Sequence, residues 1–196
     1  DNEVEILKKS LIAEDVVRRF NMNVTYIQLK PLVSGLEKLI PGLPKRKTAF
    51  LYGGELPLEI RIPEDRLITL GGYISFDLFV NPNGKMLFTG KYKGSKYQVS
   101  TASNDTIVRL PFGELKLSKG SSNPQKNTWI RVEILNPLNV ADGFVNSMAI
   151  ELTSKTSSVA DIALTTFHTE LGKHFLREYF EAYNEHGIQD QLDLAE

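Results

Sequence analysis

The chain has 196 residues, a formal net charge of −1, 41% hydrophobic and 24% charged residues, and no cysteine. These proportions fit one soluble globular domain rather than a disordered chain. The missing cysteine excludes disulfides, thiolate nucleophiles and cysteine-based zinc sites, and it favours a reducing, cytoplasmic setting over an oxidising one.

Residues 1–44 read as a helical N-terminal region. Glu3 to Phe20 is amphipathic, with Val4, Leu7, Leu11 and Phe20 near one face and Ile6, Ile12 and Val16 widening it. Asn2 with Glu5 resembles a capping box. Val24 to Leu29 reads as a short strand. Pro31 suits the first position of a second helix, which ends by Ile40 because Pro41-Gly42-Leu43-Pro44 cannot continue it. Lys45-Arg46-Lys47 reads as an exposed basic loop.

Residues 45–156 read as an antiparallel β core. Thr48 to Tyr52 and Leu56 to Ile62 are strand-like, with Pro57 suited to an edge. Gly72 to Ala102 organises the rest as three consecutive strands. Ile74, Phe76, Leu78 and Val80 alternate with Tyr73, Ser75, Asp77 and Phe79, so one set faces a core. Asn81-Pro82-Asn83-Gly84 supplies the first turn. Gly94-Ser95 is expected as a type II′ loop, which would oppose Tyr92 to Tyr97 and Lys93 to Lys96. Thr106 to Leu110, Glu114 to Leu117 and Thr128 to Leu135 are further strands, the last with Ile130, Val132 and Ile134 inward. Ser118 to Asn127 is a polar loop. Asn136-Pro137 and Asp142-Gly143 read as turns before a strand from Phe144 to Leu152.

A C-terminal helix is expected over 157–187, capped by Ser158 with Asp161 and closed by Gly187, with an acidic tail over 188–196; Thr165-Thr166 weakens its start, which allows a later beginning near Thr169. Its stripe is Leu164, Phe167, Leu171, Phe175, Tyr179 and Tyr183. The expected fold is therefore α+β and β-rich, a mostly antiparallel sandwich or open barrel of about eight strands with flanking helices at both ends. No apolar run approaches the ~18 residues of a membrane span, so no transmembrane segment is expected.

No catalytic signature is present: there is no GxSxG, no Walker sequence and no GxGxxG. Glu170, His174 and Glu178 share a helix face, but that spacing is ordinary for a solvated charged face and lacks the HExxH arrangement. Glu114-Leu115-Lys116, with Asp77 or Asp105 upstream, is the half-pattern of a Mg²⁺-dependent nuclease. No cofactor or metal is expected.

Charge is unevenly placed. Lys85 to Arg131 carries nine basic residues against Asp105 and Glu114, whereas Asp161 onward carries eight acids against Lys173 and Arg177. The candidate binding residues are Lys91, Tyr92, Lys93, Lys96 and Tyr97 on the hairpin, with Lys119, Lys126 and Trp129 around the polar loop. The expected function is non-enzymatic binding or assembly through a protein partner or self-association. An apolar-ligand (lipid) carrier, nucleic-acid binding through residues 85–131, and a Mg²⁺-dependent nuclease are the alternatives.

Overall fold

Residues 2–32, 44–102, 106–152 and 160–193 are described in the computed structural model of the chain. In chain order they form α1 (Asn2–Arg19), β1 (Val24–Pro31), β2 (Lys45–Leu51), β3 (Leu58–Arg61), α2 (Glu64–Thr69), β4 (Tyr73–Val80), β5 (Met86–Tyr92) and β6 (Ser95–Thr101). There follow β7 (Ile107–Leu110), β8 (Gly113–Lys119), β9 (Thr128–Leu135), α3 (Pro137–Ser147), β10 (Met148–Leu152), β11 (Ala160–Leu164) and α4 (Thr169–Asp193). They divide into two units, residues 24–135 and residues 1–23 with 136–196.

In the first unit, β2-β1-β9-β4-β5-β6 form a six-stranded sheet and β3-β8-β7 a three-stranded one. All neighbours are antiparallel, and neither sheet closes into a barrel. The reason is visible in the alternation. Ile74, Phe76, Leu78 and Val80 on β4, with Ile130, Val132 and Ile134 on β9, bury one face of the large sheet. Leu58, Ile60, Val108, Leu110, Leu115 and Leu117 from the small sheet join them in one core. Phe76 fills it against Phe88 and Phe112, with ring centroids 5.8 and 6.2 Å apart. The Tyr26 hydroxyl reaches across to accept the Ile60 N–H at 2.7 Å. Burial raises the Tyr26 phenol well above its ordinary pKa, a push that outweighs the opposing hydrogen bond from Ile60.

The second unit is helical with a two-stranded ribbon, β10-β11. Helix α1 packs on α3 and α4. Phe144 of α3 stacks on Phe175 of α4 at 4.2 Å. The chain is thus α+β, rich in antiparallel strands, with helices in its N- and C-terminal regions. No helix among the described residues is long and apolar enough to cross a membrane.

Several local expectations are corrected. The buried side of α1 is Ile12, Ala13, Val16 and Val17, and Leu11 is 56% exposed. Ile12 and Val16 of the expected stripe thus face the core, Leu11 does not, and the side chains of Val4, Ile6 and Leu7 fall outside the described ones. Asn2 lies within α1 rather than capping it. Pro31 ends β1 opposite Lys45 instead of opening a helix; the remainder of that expected helix falls outside the described residues. Lys45-Arg46-Lys47 is not a loop but the start of edge strand β2.

Asn136-Pro137 opens α3 rather than a turn. The Asn136 side chain accepts the Leu138 N–H at 2.9 Å, and proline sits at the helix start, where its missing N–H costs nothing. Asp161 lies in β11, and α4 begins at Thr169, the later of the two expected starts, with the His168 ring nitrogen accepting the Leu171 N–H at 3.5 Å. Ser158 falls outside the described residues. Gly187 does not stop α4, which continues to Asp193.

Candidate functional site

The alternation that buries one face of the six-stranded sheet necessarily presents a second set of side chains on the other. There, cross-strand register builds two rows. One is apolar: Leu29, Trp129, Phe79 and Leu87 are successive partners across β1, β9, β4 and β5. The next is polar: Arg131, Asp77, Thr89 and Gln98 succeed one another across β9, β4, β5 and β6. Together they floor an open groove of about 1560 Å³.

Among the described residues, seven basic side chains line this groove against one acid. The acid, Asp77, is already engaged. It accepts two hydrogen bonds from the Arg131 guanidinium, at 2.8 and 3.2 Å. That bond, working against burial, holds the Arg131 pKa above its usual value. At the β2 end, Lys45 Nζ stands 4.1 Å from the Trp129 ring centre, and Phe79 packs against the same ring at 4.8 Å. At the β6 end, Lys91 is the register partner of Lys96. Among the described residues no acidic side chain forms an ion pair with either. Lys30, Arg46 and Lys126 complete the positive lining.

The hairpin register differs from the expected one. Lys93 and Gly94 are the loop residues, both with positive φ (49° and 83°). This is the type I′ pattern, whose twist matches that of the flanking strands. Tyr92 consequently faces Ser95, and Tyr97 faces Gly90. The Tyr97 ring lies over the space where Gly90 has no side chain: a Cβ there would fall 2.6 Å from the phenol oxygen. Burial first, and the Asp77 charge second, push the Tyr97 phenol up to about 12.

Of the sequence-derived binding residues, the groove brings together Lys91, Lys96, Tyr97, Lys126 and Trp129. Tyr92, Lys93 and Lys119 do not line it. Tyr92 packs edge-on against Phe112 with the core, at 6.1 Å, and Lys119 lies on β8 of the other sheet. Lys30 carried no signal in the sequence, and Lys45, Arg46, Asp77 and Arg131, each noted there in another setting, were left out of the binding set. The outward alternation of Asp77 and Arg131 was the available signal for the last two.

Of the residues in the enzymatic patterns, Asp77 and Glu114 stand on different sheets. Glu114 pairs with Arg109 at 2.6 Å on the three-stranded sheet, whereas Asp77 lies on the six-stranded one. Asp105 falls outside the described residues. On α4, Glu170 pairs with Lys173 at 2.9 Å and Glu178 with Arg177 at 3.0 Å. Among the described residues no three acids or histidines cluster as a metal site would require. The chain matches no protein-family model, and no curated protein matches it.

Proposed function

We propose that this chain is a non-enzymatic binding protein whose basic groove takes an acidic segment of a protein partner. The observation that carries the reading is the Lys91–Lys96 pair, two like charges held face to face with no acid among the described residues paired to either. Like charges directly opposite destabilise a sheet, and an incoming carboxylate removes that penalty. The aromatic residues favour a protein over a nucleic acid. Trp129 is already covered by Lys45 and Phe79, and Tyr97 is turned onto Gly90 and Phe112. Charge is therefore offered without open stacking platforms. The filling of the inter-sheet space by Phe76, Phe88 and Phe112 favours a surface ligand over an internal one.

Fluorescence anisotropy with a labelled peptide of alternating glutamate and threonine tests this directly. Saturable binding that is lost in the Lys91→Glu/Lys96→Glu variant is expected. Tighter binding of a single-stranded oligonucleotide than of the peptide would overturn it. If the protein alone shows a concentration-dependent mass that the same variant abolishes, the acidic segment is the chain's own.

A further inference from the structure

We infer that the acidic segment binds as an added β-strand along the outer edge of β6, which rests on the reading of the groove given above. The six-stranded sheet ends in two edges of opposite character. At one, β2 carries Lys45, Arg46 and Lys47 in succession, and its pairing with β1 is broken by a bulge between Gln28 and Leu29. Consecutive charges and a bulge are the usual devices that stop another chain from pairing with an edge. At the other, β6 runs in unbroken register with β5 from Tyr92–Ser95 to Met86–Thr101. It contains no proline and no bulge.

The hairpin loop sets which backbone groups of β6 point outward. In a two-residue loop the flanking residues, here Tyr92 and Ser95, exchange both backbone hydrogen bonds. Alternate pairs from there do not. Lys96, Gln98 and Ser100 are those alternate residues, so their N–H and C=O groups project from an edge that no strand among the described residues pairs with. The side chains of the same three residues lie on the groove face, since Lys91 and Gln98 line the groove with Lys96.

One geometry thus offers main-chain donors and acceptors to an incoming strand and a lysine on the matching face. An acidic residue of that strand paired with Lys96 would stand beside it and relieve its opposition to Lys91, while Gln98 and Ser100 face the next positions on the same side. The partner's chemistry follows: an extended segment with a carboxylate in register with Lys96, not a helix.

Hydrogen exchange on the full-length protein, with and without the alternating glutamate–threonine peptide, tests the mode of binding. The same peptide N-methylated at every second residue, which cannot complete a ladder, serves as the comparison. Slowed exchange at the Lys96, Gln98 and Ser100 amides is expected, together with affinity lower by about tenfold or more for the N-methylated peptide. Equal affinity of both peptides without protection of these amides would overturn strand addition while leaving groove binding in place. Failure of both peptides to bind would overturn the groove reading as well.

Discussion

Lys91 and Lys96 face each other across the β5–β6 hairpin, and the loop geometry places them at a pair without mutual hydrogen bonds, where side chains approach most closely. Their repulsion is a stability term that can be measured without any ligand. Lys96→Glu should stabilise the protein by about 0.5 kcal/mol at low ionic strength, and the gain should fade as salt screens the pair. Urea unfolding at two salt concentrations reads this out. An unchanged midpoint at low salt would show that the two ammonium groups already avoid each other.

The bond from Ile60 N–H to the Tyr26 hydroxyl joins the two sheets through the core. Tyr26→Phe keeps the ring but leaves a buried donor unsatisfied, so it should cost about 1–3 kcal/mol with an unchanged denaturant slope. The same buried phenols predict an alkaline limit. Tyr26 and Tyr97 both have folded-state pKa values raised above the ordinary 10.0. The unfolded chain therefore loses these protons first as pH rises. Stability from the two groups is complete below pH 10, and it declines from there as pH rises through the folded Tyr97 value of about 12. Thermal melts across this range should show a shallower decline for Tyr26→Phe/Tyr97→Phe.

Gly90 and Tyr97 form a matched pair, the ring occupying what a side chain at Gly90 would need. Gly90→Ala should destabilise by about 1–3 kcal/mol through overpacking. In a Tyr97→Thr background the same alanine meets no ring, so its effect should become neutral or favourable, because glycine is a poor strand former. A double-mutant cycle separates this steric coupling from a general cost of changing β5.

Asn136 caps α3 through Leu138 N–H. Asn136→Ala should cost about 0.5–2 kcal/mol, whereas Asn136→Asp or Asn136→Ser should retain most of the stability. Chemical denaturation of the three variants gives the ranking.

Period-two alternation made the central sheet legible, because β4 and β9 each bury one face of apolar side chains and a register slip would invert it. Elements whose fate rests on one or two residues were harder to read. Asn136-Pro137 carries both a cap and a helix-start proline, yet the same dipeptide begins turns, and Gly143 within α3 strengthened the wrong reading. Likewise Lys93-Gly94 and Gly94-Ser95 are both acceptable loops; only φ > 0 at Lys93, which lysine seldom adopts, distinguishes them. That one-residue difference moved Lys91, rather than Lys93, opposite Lys96. The groove itself was only partly legible. Its hairpin lysines and Trp129 lie in one basic stretch, but Lys30, Lys45 and Arg46 arrive through β1 and β2, from another part of the chain. Composition along the sequence cannot show that the two stretches share a sheet face.

The most direct test of the account is a charge-swap titration of the Lys91→Glu/Lys96→Glu variant with two peptides of equal length, one alternating glutamate and threonine, the other lysine and threonine. The account predicts that the variant loses the glutamate peptide bound by the unaltered protein and gains affinity for the lysine peptide. Undiminished binding of the glutamate peptide by the variant would contradict it.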